Sequence, residues 1–170
     1  MSEKIIEVNN LSKSYGDHLV LNDISFSLPK GEIIGLFGPN GCGKSTLMKI
    51  LTGLIHDYKG SVLINGNAPG DKTKAITAYL PEQTFIHDWM RNIDAVDYFN
   101  DFFKDFDKVK ALEMLKRFSL PEKQKCKTMS KGMQEKLLLS LTMSREADLY
   151  ILDEPMGGVD PATRGQILDF

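Results

Sequence analysis

Apolar and polar residues alternate through the first thirty positions of the chain, most clearly in "KIIEVNNLSKSYGDHLVLNDISFSL" (residues 4–28). This period of two, with Gly16 and Asp17 between the runs, predicts two half-buried strands that form an antiparallel hairpin. The next segment, "EIIGLFG" (residues 32–38), is apolar almost throughout, which predicts a strand covered on both faces. The chain therefore opens with two kinds of predicted strand.

Helical and strand patterns alternate further along the chain. Helical periodicity follows Lys44 as far as Gly53, recurs in two segments between Met90 and Ser119, and begins again in "MSKGMQEKLLLSL" (residues 129–141). Pro161 suits the first turn of a last helix. Short apolar runs predict three more strands, in "GSVLING" (60–66), "AITAYLPE" (75–82) and "LYILDEP" (149–155).

Alternating strands and helices predict an α/β fold with a mostly parallel sheet. The helical block interrupts this alternation, so we predict three parts. Residues 1–86 form an antiparallel β subdomain and the first part of the core, 87–145 form an inserted helical lobe, and 146–170 return to the core.

Composition excludes several classes of protein. The 170 residues are 42% hydrophobic and carry a net charge of -2, which gives no indication of direct nucleic-acid binding. The charged N-terminus is unlike a signal peptide, and no apolar run is long enough to cross a membrane. The two cysteines, Cys42 and Cys126, have no metal-ligand spacing and fit a reducing compartment. A cytoplasmic location is predicted.

The strongest motif is "GPNGCGKST", which has the spacing Gly, four residues, Gly-Lys-Ser. Glycines let a backbone curl around phosphate groups, and the helix that follows adds the positive end of its dipole. Lys44 can reach the β- and γ-phosphates, and Ser45 can bind Mg²⁺. The motif predicts a nucleoside triphosphate site made by Gly38, Pro39, Asn40, Gly41, Cys42, Gly43, Lys44, Ser45 and Thr46.

Two carboxylates follow the last apolar strand, at Asp153 and Glu154. A carboxylate in this position can hold Mg²⁺, the second half of a phosphate-loop site, and the adjacent Glu154 can take a proton from the attacking water. Alone, the "DEP" sequence could equally start a helix. Its combination with the phosphate loop favours the catalytic interpretation.

With these motifs in place, the whole chain resembles the ATP-binding subunit of an ABC transporter. The resemblance implies a P-loop NTPase core, ATP and Mg²⁺ as cofactors, and catalytic roles for Lys44, Gln83 and Glu154. It also implies that Tyr15 stacks on adenine, that Gln83 in "YLPEQ" contacts Mg²⁺ and the attacking water, and that Asp160 in "GGVDP" crosses between subunits. Tyr15 and Gln83 could otherwise be an ordinary strand residue and a surface amide.

The family signature Leu-Ser-Gly-Gly-Gln aligns with "MSKGM", so Ser130 and Gly132 agree with it while Met129, Lys131 and Met133 depart. In the family this helix start contacts the γ-phosphate of ATP held by a second subunit. The resemblance therefore implies a pair of ATP-binding subunits, identical or related, with two ATP molecules between them. Ser130 could also be an ordinary N-cap. The Ser-x-Gly-Met form resembles bacterial ATPases of drug and antibiotic exporters.

The resemblance also implies a membrane permease as partner, which would place the protein peripherally on the cytoplasmic face of the cell membrane. Residues Thr84–Trp89 and the helical lobe would receive a helix of the permease, with Phe85 and Trp89 as contacts. Both aromatics could instead pack within the lobe.

Two alternatives remain open. One is a soluble ABC-type switch that acts on ribosomes or DNA, and the other is a nucleotide-binding module with weak catalysis. Family members continue past the position of Phe170 through a strand with a γ-phosphate-binding histidine. We therefore expect a missing C-terminal part, an exposed sheet edge, and weak or absent ATPase activity of the 170 residues alone.

Overall fold

A computed structural model of the chain describes residues 3–82 and 86–154. The chain divides between Thr77 and Ala78 into two compact units.

The first unit is built on a three-stranded antiparallel sheet in the order β2-β1-β3. Its strands are β1 (Lys4–Tyr15), β2 (His18–Pro29) and β3 (Lys59–Ile64). Gly16 has a φ of +57° in the turn between β1 and β2, a conformation that glycine adopts without steric cost. Ile6, Val8 and Leu11 of β1 are buried because alternate residues of the strand face the core. The predicted hairpin is confirmed.

Two helices complete the first unit. Helix α1 (Lys44–Leu51) begins at the predicted lysine and buries Leu47, Ile50 and Leu51, which recur at helical spacing. The short helix α2 (Asp71–Ala75) was not predicted, and it includes the first residue of the strand expected over 75–82.

The buried strand predicted over residues 32–38 is wrong. Residues 32–39 form no regular secondary structure and are exposed, with Ile33 and Phe37 almost entirely so. A strand is stabilised by hydrogen bonds to neighbouring strands, and nowhere in residues 3–82 and 86–154 does a strand pair with this segment. Its apolar composition indicates a tendency to be buried but cannot supply the strands that would cover it.

The second unit contains a group of helices, called the lobe below. It consists of α3 (Asn92–Phe102), α4 (Lys108–Arg117), a 3₁₀ turn (Cys126–Thr128) and α5 (Lys131–Met143). The helices pack around a shared apolar cluster whose most buried members include Val96, Met114, Leu137, Leu139 and Leu141. The two helical segments predicted between Met90 and Ser119 are confirmed.

Two short strands accompany the lobe. Strand β4 (Thr77–Leu80) and strand β5 (Leu149–Leu152) form a two-stranded parallel sheet. Leu80 and Leu152 pack against the cluster of the lobe. The antiparallel and parallel sheets together with the helices confirm the predicted α/β class.

A buried ion pair joins the loop after α3 to the end of α5. The side chain of Arg145 is only 4% exposed, and its guanidinium donates to both carboxylate oxygens of Asp105 at 2.9 and 3.1 Å. The same guanidinium lies 4.0 Å from the ring centroid of Phe103. The pairing compensates the cost of removing a charge from water.

Membrane-spanning helices are absent from the described residues, where every helix is too short or too polar to cross a bilayer.

Candidate functional site

The phosphate loop is an exposed turn that leads directly into α1. Gly41 and Gly43 have φ values of +80° and +97°, in the left-handed region that favours glycine. A Cβ on Gly43 would lie 2.7 Å from Leu21 Cδ2 and 3.2 Å from the carbonyl oxygen of Val20, so space also requires glycine there. A Cβ on Gly38 would lie 2.7 Å from Cys42 Sγ. The sequence motif thus corresponds to steric requirements in the fold.

The lysine of the motif lies across its own loop. Lys44 Nζ donates to the carbonyl oxygens of Gly38 at 2.8 Å and Pro39 at 2.9 Å. The ammonium group therefore lies against the loop residues that the motif predicts to bind phosphate. A polyanion entering the loop would offer this cation better acceptors than two neutral carbonyls.

The N-terminus of α1 is open to an anion. Gly43 is the N-cap, and no side chain of the described residues caps the helix. The first backbone hydrogen bond of the helix runs from Leu47 N to Gly43 O at 2.9 Å, so the amides of Lys44, Ser45 and Thr46 precede the regular ladder. These N–H groups and the helix dipole favour a phosphate.

Tyr15 lies at the hairpin end of β1 and is half exposed. It pairs with His18 across the turn. Val20 and Leu21, a few residues further along β2, are the residues that a Cβ on Gly43 would meet. Lys13 Nζ lies 4.7 Å from the centroid of the Tyr15 ring. The first unit therefore brings an exposed aromatic ring to the same end as the phosphate loop.

The acidic pair stands at the end of β5. Asp153 is buried, and its backbone N–H donates to the carbonyl oxygen of Leu80 at 2.9 Å. Glu154 is exposed and has a φ of +51°, an uncommon conformation for a residue with a Cβ. Such strain is often found at functional sites. A buried carboxylate and an exposed one at successive positions suit two different roles.

A tyrosine beside this pair was missed by the sequence analysis. The hydroxyl oxygen of Tyr79, in β4, is buried and has no hydrogen-bond partner within the described residues. Burial raises the pKa of Tyr79 to about 12, with smaller contributions from the carboxylates of Asp153 and Glu82. Tyr79 is the first residue of "YLPEQ", but no sequence signal marks it, because aromatic residues are common in strands.

The signature segment is held by the packing of the lobe. Ser130 is the N-cap of α5, and its hydroxyl oxygen accepts from Met133 N at 3.2 Å. Met129 is buried and Met133 packs partly against the same cluster, so both departures from the family pattern are apolar contacts of the lobe. Lys131 is exposed, and its Nζ lies 3.8 Å from Oε1 of Glu135. Ser130 is therefore an N-cap in this structure, the alternative interpretation of this residue from the sequence.

Several predicted residues lie outside the described part of the chain, namely Gln83, Thr84, Phe85 and Asp160. Trp89 is described and is 68% exposed, with the ring of His87 stacked 6.0 Å away. It does not pack into the lobe.

The donors present fit Mg²⁺ and a nucleotide. No group of three or more His, Cys, Asp or Glu side chains that could hold a metal ion occurs among the described residues. Mg²⁺ at phosphate sites needs only one or two protein oxygens, because phosphates and water fill the other positions. The hydroxyl of Ser45 and the buried carboxylate of Asp153 are hard oxygen donors of the right type.

The fold and the loop define a P-loop nucleotide-binding protein. Comparison with protein families then gives a match to the ABC transporter model over residues 21–157. The chain belongs to the ABC transporter family.

Named relatives agree with this assignment. The chain is 34% identical over 166 residues to the ABC transporter ATP-binding protein YtrB of Bacillus subtilis, covering 96% of this chain and 57% of that protein. It is 35% identical over 164 residues to the SkfA peptide export ATP-binding protein SkfE of the same organism, covering 92% and 68%. The chain thus spans about three fifths of the length of such relatives.

A solved structure of an ATP-binding subunit of an ABC transporter has the same fold. It superposes with a TM-score of 0.85 at 28% identity, covering 97% of this chain and 72% of that one.

Proposed function

We propose that this chain forms the nucleotide-binding part of an ATPase that powers an ABC transporter through ATP-dependent pairing of two such subunits. One observation carries the proposal: a glycine loop with left-handed backbone at Gly41 and Gly43 leads into an uncapped helix, with Lys44 lying across it. This arrangement suits the triphosphate of ATP.

The residues of the first unit would bind and orient ATP. Lys44 would exchange its two carbonyl acceptors for β- and γ-phosphate oxygens, and the amides at the start of α1 would donate to the β-phosphate. The exposed ring of Tyr15 would stack on adenine, because an exposed aromatic face near the loop can cover a base. The residues of the loop thus position the phosphate chain before any reaction.

Further oxygen donors of the chain would complete the hydrolytic centre. Asp153 and Ser45, with Gln83, would hold Mg²⁺, which neutralises charge on the phosphate oxygens. Glu154 would accept a proton from the water that attacks the γ-phosphate in line. Its exposure is compatible with access to that water.

A second ATP-binding subunit is proposed as the partner that completes the site. Ser130 and Gly132 would face the γ-phosphate bound to the other subunit, with Asp160 crossing between the two. Ser130 already orders the first turn of α5 through Met133 N. A lobe packed in advance presents this turn without a further ordering cost.

A membrane permease is proposed as the second partner, and it would hold the protein at the cytoplasmic face of the membrane. The exposed side chains of Trp89, Tyr98 and Phe102 support a protein contact on the lobe, because exposed aromatics are enriched at interfaces. The ring of Tyr98 stacks on that of Phe102 at 5.9 Å. Peptide export by the relative SkfE is consistent with an exporter.

The substitution Glu154→Gln in the intact protein tests the proposal. Loss of the proton acceptor should stop hydrolysis while ATP binding persists, so a dimer that survives size-exclusion chromatography with ATP and Mg²⁺ is expected. Glu146→Gln, at an exposed position of the same unit, is the control and should behave like the parent protein.

Two results would contradict the proposal. A Glu154→Gln protein that stays monomeric with saturating ATP would exclude ATP-dependent pairing. A parent protein with negligible hydrolysis that the substitution does not lower further would indicate the nucleotide-binding module with weak catalysis. Copurification with a membrane subunit distinguishes a transporter from a soluble switch.

A further inference from the structure

The hydroxyl group of Tyr79 is a buried donor without an acceptor. Its oxygen is shielded from solvent and makes no hydrogen bond to any described residue. Most buried side-chain polar atoms in proteins have a partner, and an exception calls for a specific explanation. A buried hydroxyl without a partner loses its hydrogen bonds to water without compensation.

The pairing of β4 and β5 places Tyr79 beside the acidic strand end. Asp153 N donates to Leu80 O at 2.9 Å, and in a parallel pair this bond puts Leu152 next to Leu80. Ile151 is then next to Tyr79, and Asp153 is the diagonal neighbour of Tyr79 along β5. Diagonal neighbours on one face of a sheet are within reach of an aromatic side chain.

The two side chains also share a face of the sheet. Leu80 and Leu152 both pack against the apolar cluster of the lobe. Successive side chains of a strand point to opposite faces, so Tyr79 and Asp153 point away from the cluster. The electrostatic effect of Asp153 on the phenol agrees with this placement. A neutral donor and a buried carboxylate therefore lie on one face, at the end where the strand stops.

We propose that Tyr79 is a positioning residue for Asp153. In the nucleotide-loaded protein its hydroxyl donates to one Asp153 carboxylate oxygen and leaves the other directed at Mg²⁺. This inference rests on the proposed function. Mg²⁺ requires near-ideal octahedral geometry, so a carboxylate fixed in one orientation binds it better than one free to rotate. Substitution of a residue that hydrogen-bonds to a metal ligand commonly lowers the metal affinity 10- to 100-fold.

The test is Tyr79→Phe, which removes only the hydroxyl group, in the intact protein. Binding of a fluorescent ATP analogue is measured across a Mg²⁺ titration and, separately, in EDTA. Compared with the parent, Tyr79→Phe should need an about 10-fold higher Mg²⁺ concentration for half-maximal binding of the analogue. In EDTA its affinity for the analogue should be unchanged. Thermal stability should stay equal or rise, because the lost hydroxyl had no partner to leave unpaired.

Tyr150→Phe provides a matched control on the neighbouring strand. The hydroxyl of Tyr150 donates to the carbonyl oxygen of Arg145 and accepts from Ala147 N, so this residue has a structural role on β5. Its substitution should lower stability and leave the Mg²⁺ dependence unchanged. The two phenylalanine variants are therefore expected to show opposite patterns.

Either of two results would overturn the inference. One is a Tyr79→Phe protein with the Mg²⁺ dependence of the parent. The other is an equal loss of nucleotide affinity with and without Mg²⁺, which would indicate a general structural role. Failure of the proposed function is distinguishable, because the parent protein itself would then show no Mg²⁺-dependent nucleotide binding or ATP-dependent pairing.

Discussion

The signature turn and the phosphate loop are both predicted to bind phosphate, yet they are held in different ways. Ser130 lies between the buried Met129 and a helix whose inner face is part of the apolar cluster of the lobe. The phosphate loop follows an exposed segment without regular structure, and Lys44 bonds to its own loop. One contact surface is shaped by side-chain packing, and the other by glycine conformation and a lysine.

This difference follows from what each region must do in the proposed mechanism. The signature turn meets ATP that is already bound elsewhere, so a fixed shape lowers the entropy cost of association. The phosphate loop must wrap a flexible triphosphate, and its lysine must exchange neutral carbonyls for charged oxygens.

The largest effect is expected from Asp105→Ala, which removes a carboxylate that pairs with the buried guanidinium of Arg145. We expect a loss of roughly 3 kcal/mol in the free energy of unfolding of the lobe. Nucleotide binding below the melting transition should change little, because Lys44 belongs to the other unit. Differential scanning calorimetry of the intact protein measures the loss. Asp148→Ala, at an exposed position, is the control, and equal melting temperatures for both variants would contradict the assignment.

A smaller effect, on binding rather than stability, is expected from Lys44→Ala. Loss of the charged hydrogen bonds to the β- and γ-phosphates should weaken ATP binding about 10- to 100-fold. The melting temperature without nucleotide should stay near that of the parent, because within the described residues the ammonium group of Lys44 donates to two loop carbonyls. Lys49→Ala, in the last turn of the same helix, is the control for isothermal titration calorimetry. Unchanged affinity for Lys44→Ala would refute the assigned site.

Substitutions of Ser130 separate its capping role from its proposed contact with phosphate. Ser130→Ala should cost about 1 kcal/mol of stability through loss of the N-cap bond to Met133. Ser130→Asp should recover that stability, because aspartate caps helices well, but its charge should repel the γ-phosphate. ATP-dependent pairing, followed by size-exclusion chromatography in the Glu154→Gln background, should therefore be lost in both. Pairing that survives in Ser130→Asp would show that Ser130 is a cap only.

The mildest perturbation is thiol labelling, which compares the two cysteines without any substitution. Cys42 is exposed in the phosphate loop, whereas Cys126 is buried in the lobe. Burial raises the pKa of Cys126, so at neutral pH it stays a thiol and should react slowly until the pH approaches that raised value.

Bound ATP should protect Cys42. At a nucleotide concentration ten times Kd, its labelling should slow roughly tenfold, because only the free protein exposes the loop. Mass spectrometry of each cysteine peptide gives both rates. Equal labelling of Cys42 with and without ATP would remove Cys42 from the proposed site.

Local sequence patterns determined a large part of this fold. Alternation around Gly16 predicts the hairpin, the glycine spacing predicts the turn into α1, and Ser130 marks the start of α5. Each of these features depends on interactions within a few residues, such as a turn conformation or a cap bond. The proposed roles of Lys44 and Asp153 also come from motifs, and they stay predictions until tested.

Contacts between residues distant in the chain, which only the tertiary structure gives, decided which side chains lie together and which segments are exposed. Arg145 is neutralised by Asp105 forty residues earlier, Tyr79 shares a sheet face with Asp153, and residues 32–38 are exposed although their composition predicts burial. Hydrogen bonds between strands and the compensation of buried charge need groups that are distant in the chain. Local periodicity describes which residues favour burial, but the surrounding fold determines whether anything covers them.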